Sequence, residues 1–242
     1  LSSFLAKKQY DLDNIKTLII PFIWIGTICM FIALANLSTA LILGATSILL
    51  MFISRVKISH LSLLIFFVIF SGGTALLTGQ RGYTAISRVE DFINKKNLPY
   101  QLEQAYIAVS TGGLFGKGPG NSNQKNFLPQ SSSDFIYAII VEEYGFIVGI
   151  LVLLLYIILL YRGLKIFINS DRPFGGLLSA GLSFALVIQA ITNMCVVVGL
   201  LPVTGVTLPL VSMGGTSQLF TGITIGIILS ISRENERESS YA

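Results

Sequence analysis

The sequence is poor in charge, histidine and cysteine. Only 12% of its 242 residues are charged, whereas about 25% is usual in a soluble domain. With 53% hydrophobic residues, the composition excludes an ordinary soluble protein and indicates an integral membrane protein. The single His60 and the two cysteines, Cys29 and Cys195, fall in or beside apolar runs. Histidine-based catalysis, a Cys/His metal site and a disulfide are therefore not expected, and a net charge of +4 gives no reason to expect a nucleic acid partner.

Long apolar runs are abundant. A helix needs about 20 apolar residues to cross a bilayer, and six segments come close to this, at roughly 18–35, 38–54, 58–77, 135–161, 175–199 and 214–232. These runs are too long and unbroken for the alternating pattern of an outer-membrane barrel. The sequence predicts an all-α integral membrane protein, with one membrane domain over 1–242, six transmembrane helices and a long loop at about 78–134.

Positive charge is distributed unevenly around the six segments. Ten of the 16 Lys and Arg residues lie at the ends or in short connections that alternating helices place on one side: Lys7, Lys8, Lys16, Arg55, Lys57, Arg162, Lys165, Arg172, Arg233 and Arg237. Because short positive loops stay in the cytoplasm, both ends of the chain are predicted to be cytoplasmic. The long loop and the turn at 200–213 then face outward, and a short helix is expected from Tyr100 to Ser110.

Three acids occur together in the stretch LPQSSSDFIYAIIVEEYG. Asp134 stands at the outer end of a predicted helix, as either an N-cap or an ionised general base. Glu142 and Glu143 follow eight and nine residues later, about 12 Å further along a helix and near mid-membrane. No Lys or Arg lies in the six segments, and a charge at the bilayer centre costs at least about 2.5–3.5 kcal/mol. We therefore expect one or both of these acids to be protonated, to face a wet cavity, or to pair with a group outside this chain, and intramembrane acids are by default functional.

Glycines mark a stretch of the long loop, GGLFGKG, which begins at Gly112. It lacks the spacing and the Ser or Thr of a Walker A phosphate loop, so its glycines are assigned to tight turns. Lys117 and Lys125 are either ligands of an anionic head group or solvated cations. The sequence alone leaves both alternatives open.

A second irregular stretch, Gly199–Ser217, contains two prolines and four glycines. Irregular backbone near membrane depth is tolerated where it is buried in protein or lines a wet cavity, and the alternative is an ordinary loop. Gln189 and Asn193, one turn apart on the preceding helix, are expected to hydrogen-bond between helices.

Three stretches resemble one family, the SEDS proteins FtsW, RodA and SpoVE. GNSNQKNFLPQSSSDFIYAIIVEEYG is similar to the family's G-N-S-x-Q-K…L-P-E…T-D-F-I-F-A-I-I-x-E-E-L-G, and NMCVVVGLLPVTGVTLPLVSMGGTS to its N-x-x-V-x-x-G-L-L-P-x-T-G-x-x-L-P-F-x-S-Y-G-G-S-S. The shorter ANLSTALIL resembles P-D-L-G-T-A. Members have ten transmembrane helices, so the resemblance implies that the six segments are the last six. About four N-terminal helices would then be missing, in keeping with a first residue, Leu1, that is not methionine.

The resemblance implies a peptidoglycan glycosyltransferase that polymerises lipid II, with inversion, at the outer face of the cytoplasmic (inner) membrane. The growing strand would be carried on undecaprenyl pyrophosphate. Asp134 matches the family's key acid, in the T-D-F triplet, and is the expected catalytic base or a metal ligand, while Glu142 and Glu143 match its E-E pair. Positive charge for the pyrophosphate is expected from a divalent cation such as Mg²⁺ or Mn²⁺, whose ligands are not assigned, or from Lys117, Lys125, Arg81 or Arg88. Further candidate substrate-binding residues are Asn121, Gln124, Ser133, Ser212, Thr216 and Ser217.

The details of the long loop are closer to FtsW proteins of Bacteroidetes-type bacteria than to RodA. Septal cell-wall synthesis during division is therefore the expected role, with a class B penicillin-binding protein, a transpeptidase, and other division membrane proteins as partners. Gln130 and Met213 depart from the family pattern, but neither departure touches Asp134. The alternatives are an elongation-type role, a lipid II transporter centred on Glu142 and Glu143, and a non-enzymatic division scaffold.

Overall fold

A computed structural model gives the structure of the chain and describes all residues except 10, 13, 79–81, 95–98 and 242. At 70–72, 74–78, 82–86, 94 and 238–241 it describes the backbone alone. The candidate Arg81 lies outside the described residues. Over the described residues the regular structure is entirely helical, in α1 (Ser2–Lys7), α2 (Ile15–Ala35), α3 (Leu37–Ile53), α4 (Ile58–Thr78), α5 (Gly82–Asn94), α6 (Tyr100–Gly112), a 3-10 helix (Gln124–Asn126), α7 (Ile136–Ile168), α8 (Pro173–Val197) and α9 (Gly215–Tyr241).

The all-α membrane architecture is confirmed, and each of the six apolar segments corresponds to a helix. Among the residues whose side chains are described, four helices are long and apolar enough to cross a membrane by length and composition: α2, α7, α8 and α9 as far as Arg237. Leu37–Ile53 and the described stretch Ile58–Ile69 are shorter apolar helices. The protein is a multi-pass membrane protein, and α5, α6 and the 3-10 helix lie within its long predicted loop.

One compact unit consists of Leu1–Ala85, Leu160–Ala185 and Thr224–Ala242. Within it α2, α3 and α4 pack against one another. A single residue, Asn36, joins α2 to α3, and its side-chain oxygen accepts hydrogen bonds from the backbone of Ser38 at 3.1 Å and Thr39 at 3.3 Å. Asn36 is therefore the N-cap of α3, which is why the chain can reverse within one residue.

The other unit consists of Ile86–Leu159 and Leu186–Ile223. Its buried residues include Leu102 of α6, Val141 and Tyr156 of α7 and Leu208 of the connection between α8 and α9. Every candidate site residue except Arg81 falls in this unit. The site is therefore described within this unit alone.

Candidate active site

Helix α7 is interrupted near its start. Gly145 has φ 84° and ψ 172°, a backbone conformation that glycine adopts readily and other residues rarely adopt. An unbroken helix would bond the N–H of Phe146 to the carbonyl of Glu142, and the N–H of Ile147 to that of Glu143. The break removes these two hydrogen bonds and leaves four backbone groups in need of partners.

Residues Gly112–Gly118, here called the glycine loop, supply those partners. Lys117 N donates to the Glu142 carbonyl at 3.0 Å and Gly118 N to the Glu143 carbonyl at 2.9 Å. In the opposite direction, Phe146 N donates to the Gly113 carbonyl at 2.9 Å and Ile147 N to that of Leu114 at 3.4 Å. The loop thus replaces both lost helix bonds, and it is docked into the break in α7.

This docking depends on the absence of side chains at three glycines. A Cβ atom at Gly112, Gly116 or Gly145 would collide with the backbone of Val141, Glu143 or Leu114, respectively. Gly116 and Gly145 also have positive φ, of 78° and 84°. The turns expected from the sequence are present, and the glycines additionally permit close contact between two backbones.

Glu142 is fully buried, and the glycine loop and the residues after it bind its carboxylate. Oε1 lies 2.6 Å from Lys117 Nζ, and Oε2 accepts a 2.5 Å hydrogen bond from Ser122 Oγ. The backbone N–H groups of Asn123 and Gln124 each donate to this carboxylate at 3.3 Å. Thr111 Oγ1, near the end of α6, also donates to Oε1 at 3.5 Å, and the other donors come from the loop between α6 and α7.

Glu142 does not meet the expectation that one or both acids are protonated, face a wet cavity or pair outside the chain, because it is buried against Lys117. Its cationic partner belongs to the chain, but to the loop rather than to a membrane helix, so the absence of Lys and Arg from the six segments was not informative. Glu143 is also buried, at 9% exposure. No ion pair to its carboxylate occurs among the residues that the structure describes, and its role stays a prediction.

Asp134 is half-buried at the end of the long loop. Its Oδ1 accepts a hydrogen bond from Ser133 Oγ at 3.2 Å. The first turn of α7 is closed by the carbonyl of Phe135, which accepts from Ala138 N at 3.0 Å. Within the described residues no backbone N–H donates to the Asp134 carboxylate, so the N-cap alternative is not observed. In the described chain the carboxylate has no hydrogen bond other than the one from Ser133.

The backbone around Asp134 is held firmly by three hydrogen bonds, here called the main-chain clamp. The Ser132 carbonyl accepts from Met213 N at 2.8 Å, the Ser133 carbonyl from Ser212 Oγ at 2.6 Å, and the Asp134 carbonyl from Asn193 Nδ2 at 2.7 Å. Three consecutive carbonyl groups therefore accept hydrogen bonds from a side chain of α8 and from the connection between α8 and α9. This arrangement fixes the position from which the Asp134 side chain projects, while making no bond to its carboxylate.

The amides of Gln189 and Asn193 bind the irregular connection after α8. Asn193 Nδ2 also donates to the Val206 carbonyl at 2.6 Å, and Gln189 Nε2 donates to the Thr207 carbonyl at 3.0 Å. The prediction of helix-to-helix bonds is wrong, because the carbonyl groups of a non-helical segment lack intrahelical partners and accept these donors instead. Two carbonyl acceptors around Asn193 require its nitrogen to face them, and its Oδ1 is buried without a partner in the described chain.

Gly205 lies beside the free carboxylate. It has φ 66°, and a Cβ atom built there would stand 3.7 Å from Asp134 Oδ2. At Gly205 the connection between α8 and α9 therefore places backbone without a side chain next to the Asp134 carboxylate. The prediction of irregular backbone for Gly199–Ser217 agrees with residues 199–214, which are outside helices and include the buried Leu208 and Ser212.

The remaining candidate residues are dispersed. Lys117 is engaged by Glu142 and also donates to Thr111 Oγ1 at 2.9 Å, whereas the side chain of Lys125 is exposed. The others are placed as follows: Arg88 donates to the Val203 carbonyl at 3.4 Å, Asn121 to the Lys117 carbonyl at 3.2 Å, Ser217 Oγ lies 3.3 Å from Thr207 Oγ1, and Thr216 is exposed at the start of α9. Their roles in binding stay predictions.

A divalent cation has little to bind here without a substrate. In the described chain no three His, Cys, Asp or Glu residues are grouped closely enough to hold a metal ion, and Asp134 is accompanied by the hydroxyl of Ser133. Mg²⁺ is often held by one or two carboxylates together with substrate phosphates. The residues present do not form a metal site by themselves, so no chemical step is derived through one.

Comparison with known proteins gives a consistent set of relatives. A family model described as "Cell cycle protein", of the FtsW/RodA/SpoVE type, matches residues 1–237. The chain is 35% identical to stage V sporulation protein E of Bacillus subtilis, over 96% of this chain and 65% of that protein. It is 34% identical to the probable peptidoglycan glycosyltransferase FtsW of Coxiella burnetii, over 98% of this chain and 65% of that protein.

Two solved structures have a similar fold. One, described as showing structural coordination of polymerization and crosslinking by a peptidoglycan synthase complex, matches with a TM-score of 0.63 and 26% identity, over 81% of this chain and 55% of its own. The other is the rod shape determining protein RodA of Thermus thermophilus, with a TM-score of 0.56 and 21% identity, over 97% of this chain and 64% of its own. The chain therefore spans about two thirds or less of the length of these relatives.

Proposed function

Because the chain belongs to the FtsW/RodA/SpoVE family, we propose that its protein is a peptidoglycan glycosyltransferase that polymerises lipid II at the outer face of the cytoplasmic membrane. The observation that carries the proposal is the state of Asp134. Its backbone is held by the main-chain clamp, and among the described residues its carboxylate has a single hydrogen bond, from Ser133. A general base needs this combination of fixed position and free oxygen atoms.

In the proposed reaction Asp134 accepts a proton from the 4-hydroxyl of one sugar as that oxygen attacks C1 of another. The new glycosidic bond forms while the bond from C1 to the lipid pyrophosphate breaks, which inverts the anomeric centre. The pyrophosphate leaves with the electron pair, and positive charge near it stabilises the transition state. Lys125 and Arg88 are better candidates for this than Lys117, since the Lys117 ammonium is already paired with Glu142.

The environment of Glu142 argues against the transporter alternative. A transporter centred on intramembrane acids requires carboxylates that change partners or protonation during the cycle. Glu142 is instead buried against Lys117, Ser122 and two backbone N–H groups, as a structural anchor would be. The same argument does not extend to Glu143, which has no ion pair among the described residues. A non-enzymatic scaffold would not require the main-chain clamp, because the position of the Asp134 side chain would not matter.

We further propose septal synthesis during division, with the C-terminus in the cytoplasm. Support comes from the similarity to the protein named FtsW and from the loop residues that resemble that branch of the family. The proposed partner is a class B penicillin-binding protein that cross-links the new strand, together with other division membrane proteins. The similar fold found in a peptidoglycan synthase complex supports this pairing.

The test is polymerisation of purified lipid II by the wild-type protein with its transpeptidase and by the Asp134→Asn variant. General-base catalysis contributes about 10²- to 10⁴-fold, so we expect a loss of that size with normal membrane insertion and an unchanged unfolding temperature. Glu103→Gln, which changes an exposed acid on α6, is the matched control and should retain full activity. Near wild-type polymerisation by Asp134→Asn would falsify the mechanism.

A further inference from the structure

The tip of the glycine loop exposes two large apolar side chains. Leu114 is 62% exposed and Phe115 82% exposed. Where the loop docks into α7, Tyr144, Phe146 and Ile147 are also exposed, at 44%, 47% and 51%. The loop tip therefore continues an apolar surface of a helix that is long and apolar enough to span the membrane.

A loop can enter lipid only if its polar groups are satisfied within the protein. The glycine loop meets this requirement where it contacts α7, through the four backbone hydrogen bonds at Gly113, Leu114, Lys117 and Gly118. It also contains one charged side chain, Lys117, whose ammonium is paired with the buried Glu142 carboxylate. An isolated charge would oppose insertion by several kcal/mol, and this pair removes that obstacle.

The sequence of α7 indicates the depth of the docking point. Between Glu143 and Arg162 the helix has no charged residue, and the 18 residues from 144 to 161 would extend about 27 Å. This length is close to the roughly 30 Å of a bilayer's hydrocarbon core. Glu143 then lies at the outer boundary and Arg162 at the other, so Glu142 and Glu143 lie at the edge of the hydrocarbon core and not near mid-membrane, where they were expected from the sequence. The break at Gly145, with the loop docked in it, falls just inside the outer boundary.

We propose that Leu114 and Phe115 form a membrane anchor that inserts into the outer leaflet and contacts lipid acyl chains. The glycine loop is then a re-entrant segment, and it tethers the outward loop that leads to Asp134 to the lipid surface. The proposal depends on α7 spanning a membrane and not on the glycosyltransferase reaction. It also assigns the ion pair between Lys117 and Glu142 the role of neutralising the inserted loop.

The test uses tryptophan as a depth probe. Trp24, which is 65% exposed on α2, is first changed to Phe so that it does not contribute fluorescence. Phe115→Trp is then compared with Phe127→Trp in phosphatidylcholine vesicles with and without brominated acyl chains. Phe127 is a matched control, because it is 58% exposed in the same outward loop but follows the polar residues Gln124–Asn126.

Bromine should quench the tryptophan at position 115 severalfold more than that at position 127, and aqueous iodide should show the reverse preference. Leu114→Trp is a second probe in case the first variant folds poorly. Strong iodide quenching at positions 114 and 115 without bromine quenching would overturn the proposal, as would equal bromine quenching at positions 115 and 127. The readout needs no substrate, so it is independent of the outcome for Asp134.

Discussion

Asp134 and Glu142 lie eight residues apart in one unit, and their carboxylates are used in opposite ways. Glu142 is fully buried and binds a lysine, a serine hydroxyl and two backbone N–H groups. Asp134 is half-buried and its carboxylate binds one neighbouring hydroxyl, while its backbone carbonyl is the bonded group. One acid anchors a loop through its side chain, and the other is anchored through its main chain.

The comparison teaches that the role of an acid depends on whether its side chain or its backbone is hydrogen-bonded, more than on the number of hydrogen bonds. A carboxylate with its oxygen atoms occupied stabilises structure and has little capacity left for a substrate. A residue that is held by its peptide carbonyl keeps its side chain available at a fixed position. Positioning of this kind can account for a large share of catalysis, since a displacement of about 1 Å can cost roughly 100-fold in rate.

The contrast between the two acids predicts its largest effect on stability at the ion pair between Lys117 and Glu142. Glu142→Leu leaves the Lys117 ammonium without its partner, and breaking a buried pair typically costs about 3–5 kcal/mol. The unfolding temperature in detergent should fall steeply. Asp134→Asn, measured in the same way, should change it little.

The double variant Glu142→Leu/Lys117→Met is the control for this prediction. Replacing both partners of an ion pair by apolar groups is often nearly neutral, so the double variant should recover the part of the loss that the unpaired ammonium causes, while the Ser122 hydroxyl and the N–H groups of Asn123 and Gln124 still lack their acceptor. If the double variant were as unstable as the sum of the two single variants, the ion pair would not be what anchors the loop.

The next largest effect concerns the glycine loop. Gly116→Ala introduces a Cβ that collides with the Glu143 backbone, and we expect a loss of about 2–3 kcal/mol of stability. Gly120→Ala is the matched control, because Gly120 has nearly the same φ, 76° against 78°, and has open space at its Cβ. Equal losses in both variants, by thermal unfolding, would mean that backbone strain and not loop docking is responsible.

A smaller effect is expected at the main-chain clamp. Asn193→Leu removes the donor to the Asp134 carbonyl, so we expect kcat for lipid II polymerisation to fall about 10- to 100-fold with KM nearly unchanged. Gln189→Leu removes a similar amide one turn earlier that binds Thr207 but not Asp134, and it should lower kcat at most about threefold. Similar losses of kcat in both variants would show that the connection, and not the position of Asp134, is the sensitive feature.

The smallest effect is expected at Gly205. Gly205→Asn places a side chain beside Asp134 Oδ2 in a backbone conformation that Asn tolerates, and should slow polymerisation about three- to tenfold by obstructing the acceptor sugar. Gly120→Asn carries a comparable positive φ away from any neighbour and should keep its activity. Loss of activity in both, in the same assay, would remove Gly205 from the site.

Much of the fold could be predicted from the sequence, because only helices and closed barrels satisfy the backbone in lipid, and the apolar runs are long enough for helices and too unbroken for a barrel. The helix ends were less predictable. Helices α7 and α9 continue to Ile168 and Tyr241, beyond the apolar runs. The end of an apolar run marks where lipid contact stops, and charged residues such as Arg162 and Glu234 remain good helix formers.

The candidate site was only partly predictable. Asp134 was found from the resemblance, and its position before a long helix was visible in the sequence. The partner of Glu142 was not, because Lys117 lies 25 residues away in a stretch without periodicity. The clustered glycines of the loop were the available signal, since glycine often marks close approach of two backbones. The bonds of Asn193 depend on tertiary contacts with Val206 and Asp134 that no local pattern predicts.

The single-residue connection at Asn36 bears on how the chain is synthesised. Because Asn36 ends α2 and caps α3, no spare length allows one helix to cross the bilayer while the other waits in water. We therefore expect the two helices to enter the bilayer together as a hairpin, with the first backbone groups of α3 already capped by Asn36. A substitution at Asn36 should therefore act during biogenesis, and reduce the yield of inserted protein more than the stability of the finished molecule.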